Sequence, residues 1–138
     1  MRRYRLPAFS KYSCLVLTLW VVTAWSAAFS AENSEITPFS SVGQYSQLSR
    51  EELREIFFGR QTRWPDGSPL RVFVLPDQHP IHIRFAKEVL GIYPYQLRSA
   101  WDRMLFSGTG TPPVVVESPE QMQTELQKMP NAIGYIVK

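Results

Sequence analysis

The sequence predicts an α/β domain: a three-layer single lobe with a mainly parallel sheet of three or four strands and about four helices. Two observations lead to this fold class. Short apolar runs, such as Val72-Phe73-Val74-Leu75 and Val114-Val115-Val116, alternate with longer segments whose apolar residues recur at helical spacing. Capping residues, glycines and prolines separate these segments at intervals that suit strand–helix–strand connections. Such connections are right-handed and place helices on the faces of a parallel sheet.

The first 30 residues are typical of a secretory signal peptide rather than of the folded domain. Basic residues at positions 2, 3, 5 and 11 precede an apolar run from Leu15 to Trp25, which is too short to cross a bilayer comfortably. Small residues predict cleavage after Ala28 or after Ser30, and an uncleaved anchor is the alternative. The pattern therefore predicts export and a periplasmic location for the mature protein.

Removing this segment changes the composition of the chain. It carries four of the 15 Lys and Arg residues, so positions 31–138 hold 11 of them against 12 Asp and Glu. A chain this close to neutral lacks the basic stripe of nucleic-acid-binding proteins, and we expect no nucleic acid partner. The single cysteine, Cys14, leaves with the same segment, so the mature protein has no disulfide and no thiol nucleophile. Roughly 105–110 residues remain, enough for one core.

Residues 31–47 are predicted to form an N-terminal tail or an edge strand, followed by the lobe at residues 48–138. The stretch is polar and weakly patterned, and Pro38 blocks a position in a central ladder. The first helix begins at Ser49, because Ser49-Arg50-Glu51-Glu52 is a capping box. It ends at Gly59, which suits a C-cap.

The strand at residues 72–75 leads through the turn Pro76-Asp77-Gln78-His79 into a helix that begins at Pro80 and ends at Gly91. Unpaired backbone N–H groups and the positive end of the helix dipole meet at such a turn, which is a common anion site in α/β proteins. The turn is therefore the predicted ligand position.

The second half of the chain repeats the alternation. A helix from Pro94 or Tyr95 to Phe106 has four residues at helical spacing that we expect in the core, and the run at 114–116 suits a strand buried on both faces. A last helix capped by Ser118 and a strand at 133–137 complete the pattern. The four expected core residues are Leu97, Trp101, Met104 and Leu105.

An ordered set of motifs runs from Leu48 to Val137. These motifs are Leu48-Ser49-Arg50-Glu51-Glu52-Leu53, Ile56-Phe57-Phe58-Gly59, Trp64-Pro65-Asp66-Gly67, Phe85, Trp101, Phe106-Ser107-Gly108 and Ala132-Ile133-Gly134-Tyr135. In this order they resemble the phosphate-binding proteins of ABC transporters, and in particular their short, secreted, single-lobe relatives. The resemblance implies a periplasmic-binding-protein-like fold. Full-length members hold ligand between two lobes, and this chain is long enough for one.

The same resemblance implies where a phosphate loop should lie. The family's loop, Arg-Ser-Asp-Gly-Ser-Gly-Thr, falls on Leu75 to Ile81, and only its aspartate is retained, as Asp77. An arginine fork and two hydroxyl donors are missing, and Pro80 lacks a backbone N–H. Hydrogen bonds to a charged group contribute roughly 1.5–3 kcal/mol each, so the loss amounts to about 5 kcal/mol or more, on the order of a few thousandfold in affinity.

Two groups of residues are candidates for ligand binding. Asp77, Gln78 and His79 form a polar surface at the turn, although Asp77 suits a turn or N-cap role equally well. Ser107 and Thr109 belong to a loop rich in hydroxyls and glycine. That loop follows a helix, which is the wrong polarity for a dipole-assisted anion site, so a connection requiring positive φ is the default interpretation.

Other reactive groups are scarce. His79 and His82 lie three residues apart and, with Asp77, could form a weak metal site, but two solvated histidines at the start of a helix are the favoured interpretation. Trp101 and, less clearly, Trp64 are expected to pack in the core. No set of residues forms a catalytic constellation, so the sequence predicts no enzyme, no metal and no cofactor.

Two functions follow from these observations. In the first, the chain is a non-catalytic, substrate-binding-protein-like lobe that captures a small anion, with phosphate held weakly because the loop is largely lost. In the second, the fold is a periplasmic interaction module that binds no small molecule and contacts a periplasmic or membrane protein partner.

Overall fold

The computed structural model describes residues 34–40 and 47–138, all within one compact unit, Ser34–Lys138. The predicted signal segment lies outside the described residues. No helix in the described part is both long and apolar enough to cross a bilayer. The elements in chain order are β1 (Ile36–Ser40), α1 (Arg50–Phe57), β2 (Arg71–Val74), α2 (Pro80–Arg84), which continues as the π-helical segment π1 (Phe85–Leu90), α3 (Pro94–Ser107), β3 (Val114–Val115), α4 (Pro119–Lys128) and β4 (Ala132–Val137).

The strands form a four-stranded mixed sheet in the order β1-β4-β2-β3. Strand β2 pairs in parallel with β4 on one side and with β3 on the other, while β1 pairs antiparallel with β4 and lies at the edge. Pro38 is opposite Tyr135 in this edge strand, where its missing N–H is tolerated. The α/β lobe with a mainly parallel sheet is therefore confirmed, with β4 between β1 and β2.

Helices cover both faces of the sheet, as successive residues of β4 demonstrate. The Tyr135 ring stacks on Phe85 with centroids 4.0 Å apart and also lies near Phe57. A Cβ added to Gly134 would lie 2.6 Å from Met122 Sδ in α4. Because neighbouring strand residues point to opposite faces, α1 and π1 pack on one side and α4 on the other.

Local sequence explains where the helices begin and end. The Ser49 side chain accepts from the Glu52 N–H, and Glu52 Oε2 accepts from the Ser49 N–H, so the predicted capping box is confirmed. Gly91 and Gly108 end π1 and α3 in the left-handed region, both with φ of 65°, where a side chain is unfavourable.

Two predictions about burial are wrong. Val114 and Val115 are 39% and 45% exposed, because β3 is a two-residue edge strand, and only Val116 beyond it is buried. Leu105 is 64% exposed, because it follows Met104 directly and therefore lies off the helix face that Met104 packs against the core. Leu97 and Trp101 are in the core as predicted.

Candidate functional site

The turn after β2 satisfies its own hydrogen-bonding groups. The His79 N–H donates to the Pro76 carbonyl at 2.8 Å, and His79 Nδ1 accepts from the Ile81 N–H at 3.2 Å. His79 is therefore the N-cap of α2, a helix of only five residues before the π-helical segment begins. A donor that an anion would use at this helix start is thus already paired within the chain.

Asp77 forms a two-pronged ion pair with Arg98 of α3. Arg98 Nε donates to Asp77 Oδ2 at 2.7 Å, and Arg98 Nη2 donates to Asp77 Oδ1 at 2.9 Å. This hydrogen-bonded carboxylate raises the pKa of Arg98 above its usual value. The guanidinium also lies 5.3 Å from the centre of the Trp101 ring. Asp77 thus supplies Arg98 with the negative partner that an anionic ligand would otherwise provide.

Beneath the turn lies a buried polar pair, His82 and Tyr135. The Leu75 N–H donates to Tyr135 Oη at 2.8 Å, and Tyr135 Oη lies 2.6 Å from His82 Nδ1. Donation by the phenol O–H to Nδ1 satisfies both groups and places the proton of a neutral His82 on Nε2. Nε2 is buried without a partner among the described residues. The interpretation of His79 and His82 as two solvated residues is therefore wrong, because His82 is fully buried.

Burial dominates the electrostatics of this pair. It lowers the pKa of His82, against the opposing pull of the Asp77 carboxylate and with a smaller lowering by the Arg98 charge. It also raises the pKa of Tyr135 well above the usual range of a phenol. Both groups are therefore neutral near pH 7, and the pair acts as a structural hydrogen-bonding unit.

Leu75, to which the sequence resemblance assigns the arginine of a phosphate loop, belongs to the core. Its side chain is only 1% exposed. Its backbone N–H is occupied by Tyr135. A charged side chain at this position would be buried in the core, where an uncompensated charge is costly.

A shallow pocket opens beside the turn, at the carboxyl end of β2, with a volume of about 370 Å³. We call it the carboxyl-edge pocket. It is lined by Asp77, Gln78, Ile83, Lys87, Tyr93, Pro94, Tyr95 and Arg98. Crevices outside the carboxyl ends of parallel strands are where open α/β sheets bind ligands. Asp77 and Gln78 of the predicted site are thus brought together with four residues of π1 and α3 that sequence reasoning did not single out.

Ser107 and Thr109 lie at the other end of α3. Ser107 Oγ is 2.7 Å from Thr109 Oγ1 and donates to the Arg103 carbonyl at 2.6 Å, so these hydroxyls already bond within the chain. The rise of an α-helix places Ser107 roughly 14 Å beyond Arg98 along α3. One small ligand does not contact both predicted groups.

A metal site is not formed in the described part of the chain, which contains no group of three or more His, Cys, Asp and Glu side chains placed to hold an ion. His79 is engaged as an N-cap and His82 is bonded to Tyr135. The weak His79–His82 metal hypothesis therefore has no geometric support among these residues.

The strand order and the placement of the helices give the chain the fold of a single periplasmic-binding-protein-like lobe. The chain is similar in structure to a phosphate ABC transporter substrate-binding protein from Clostridium perfringens solved with bound phosphate, with a TM-score of 0.59 and 18% identity over 75% of this chain and 40% of that one. It is also similar in structure to an ABC-type phosphate transport receptor from Vibrio cholerae, with a TM-score of 0.54 and 18% identity over 75% of this chain and 41% of the receptor.

The chain thus spans about two fifths of the length of these two proteins. No family model matches the sequence, and no curated protein matches it. At this level of identity the likeness establishes the fold, and the resemblance to phosphate transporter binding proteins is confirmed at that level. Both of these solved structures are of phosphate transport proteins.

Sequence reasoning missed Arg98 and Tyr135 as partners of the turn. They are separated from Asp77 and Leu75 by 21 and 60 residues, so no local pattern joins them.

Proposed function

We propose that the protein is a non-catalytic, periplasmic, substrate-binding-protein-like lobe of the phosphate-transporter type that has lost the family's tight phosphate loop. One observation carries this proposal: the groups at the strand–turn–helix that would meet an anion are already paired within the chain. Leu75 N–H is paired with Tyr135, Ile81 N–H with His79, and Arg98 with Asp77.

Each of these internal pairs opposes phosphate binding in its own way. An incoming anion has to displace the Asp77 carboxylate from Arg98, or else approach a fixed negative charge. The two backbone donors become available only if Tyr135 and His79 give up these hydrogen bonds, and orphaning the buried Tyr135 oxygen costs about 1–3 kcal/mol. No catalytic set accompanies them in the described residues, since His82 is buried and neutral and His79 caps a helix.

A second function, a periplasmic interaction module, is favoured by a separate observation. Phe106 is 88% exposed and Leu105 is 64% exposed, side by side at the end of α3. Phenylalanine at such exposure has an unfavourable hydration free energy that a protein partner would relieve. On this hypothesis the partner is a periplasmic or membrane protein.

Isothermal titration calorimetry with inorganic phosphate tests the first proposal. Protein expressed from the full-length sequence should give no heat of binding at micromolar concentrations, and sulfate should behave in the same way. Micromolar phosphate affinity would refute the proposed loss of tight phosphate binding.

The second function is tested with the double variant Leu105→Ser, Phe106→Ser. Cross-linked periplasmic extracts should lose a protein adduct that the wild type forms, while the urea midpoint stays unchanged. An adduct that persists in the variant would exclude this surface.

A further inference from the structure

The carboxyl-edge pocket contains a cation whose charge is not neutralised. Lys87 is exposed on π1 and, within residues 34–40 and 47–138, no carboxylate lies within ion-pair distance of its ammonium group. The ammonium group makes a cation–π contact with the Tyr93 ring, with Nζ 5.9 Å from the ring centre. Arg98, in contrast, is held by Asp77 and approached by Asp102 at 3.7 Å. The pocket therefore carries one uncommitted positive charge, at Lys87.

Two tyrosines form the wall next to this charge. The Tyr93 and Tyr95 rings are nearly parallel, at 16° with centroids 5.9 Å apart, and they are 59% and 67% exposed. Tyrosines that only fill space are normally buried, whereas exposed, mutually ordered rings offer flat apolar area at a low cost in side-chain entropy. The Gln78 amide lines the same pocket and offers both a hydrogen-bond donor and an acceptor.

We propose that the carboxyl-edge pocket binds a small organic monoanion that carries a flat ring. The ring lies against Tyr93 and Tyr95, the anionic group pairs with Lys87, and Gln78 hydrogen-bonds a polar substituent. The volume of about 370 Å³ is within the range of small-molecule sites. This inference rests on the proposed function, because it assigns the pocket a ligand other than inorganic phosphate.

The lining residues distinguish this ligand class from a bare inorganic anion. A multiply charged oxyanion is bound by several convergent donors, and this pocket offers one unpaired cation beside a carboxylate, Asp77. A ring-bearing monoanion needs only one charge partner and gains from burying the tyrosine faces, which inorganic phosphate does not. The observed combination of one unpaired cation and two exposed rings matches the ring-bearing anion.

Nuclear magnetic resonance titration of protein expressed from the full-length sequence tests the assignment with three probes: benzoate, benzyl alcohol and inorganic phosphate. Benzoate supplies ring and charge, benzyl alcohol the ring alone, and phosphate the charge alone. Benzoate should shift the amide signals of residues 78, 87, 93 and 95 with a dissociation constant on the order of millimolar, as expected for so small a ligand. The other two probes should bind at least about tenfold more weakly.

Variants separate the contributions of charge and ring. Lys87→Met should weaken benzoate binding about tenfold while leaving benzyl alcohol binding unchanged, and Tyr95→Ala should weaken both. Lys128→Met is the matched control, because Lys128 is exposed on α4 with 62% of its side chain accessible and lies outside the pocket.

The inference is overturned if benzoate gives no localised shift, or if the Lys87→Met variant binds benzoate as well as the wild type. Neither result affects the proposed function. Micromolar phosphate binding, in contrast, would refute the proposed function, and phosphate shifts at the pocket equal to those of benzoate would also refute the ring requirement.

Discussion

Replacing Tyr135 with phenylalanine removes one oxygen from the centre of the fold and leaves the ring packing in place. That oxygen accepts from the Leu75 N–H at 2.8 Å and lies 2.6 Å from His82 Nδ1. The stacking on Phe85, with centroids 4.0 Å apart, does not depend on it. The substitution thus orphans two buried polar groups without creating a cavity. Each orphaned group costs about 1–3 kcal/mol, so the free energy of unfolding should fall by about 2–6 kcal/mol.

Urea denaturation at pH 7.5 measures this loss. Because small proteins have m-values of about 1–3 kcal/mol per molar urea, the midpoint should fall by at least about 0.7 M. Tyr93→Phe is the matched control: it removes the hydroxyl of an exposed tyrosine and should change the free energy of unfolding by less than about 0.5 kcal/mol.

A double-mutant cycle identifies the cause. Adding His82→Leu to Tyr135→Phe removes one of the orphaned groups, so the two changes should cost about 1 kcal/mol less together than the sum of their separate effects. A Tyr135→Phe variant with the wild-type midpoint, or strictly additive effects in the cycle, would refute the view that this hydrogen-bonded pair stabilises the turn.

Three further predictions concern pH, the ion pair and the packing of the sheet. Burial lowers the pKa of His82, so as the pH falls the unfolded chain takes up a proton on this histidine before the folded chain does. The free energy of unfolding should therefore be highest above pH 6.5 and should fall as pH drops through the folded-state pKa. A His82→Leu variant measured in urea should lose this pH dependence. Asp77→Asn should cost at most about 1 kcal/mol, because the Asp77 and Arg98 side chains are 31% and 41% exposed, yet should strengthen phosphate binding in calorimetry; unchanged affinity would show that Asp77 does not suppress it. Gly134→Ala places a Cβ 2.6 Å from Met122 Sδ and 3.0 Å from a Leu126 methyl group, and a urea midpoint that did not fall by the equivalent of about 1–3 kcal/mol would contradict the packing described for α4.

Much of the fold was predictable because its determinants are local. The Ser49 capping box, Pro80 at the start of α2 and the left-handed Gly91 are each set by neighbours within five residues. The errors occur where burial depends on distant elements. Val114 and Val115 have the composition of a buried strand, and only the strand order places them at an open edge.

The candidate site was less predictable than the fold. The sequence placed Asp77, Gln78 and His79 in the turn after β2, where the structure also has them, but it did not reveal that Asp77 pairs with Arg98 and that His79 caps a helix. The sequence analysis also placed His82 in solvent. The reason is that helical periodicity does not reveal a hydrogen bond to Tyr135, which is 53 residues away in the sequence. The number of partners left for a ligand is a property of the tertiary structure.

Because β4 lies between β1 and β2, the sheet can form completely only after β4 has been synthesised. Residues 132–137 are the shared neighbour of β1 and β2, with Ile133 opposite Ser40 on one side and Val72 on the other. A nascent chain that has not yet reached Ala132 therefore has no continuous sheet. The edges of β1 and β2 that β4 will occupy stay unpaired until then. If the protein is exported as proposed, such a chain can still be threaded through a narrow translocation channel, whereas the finished sheet first has to unfold.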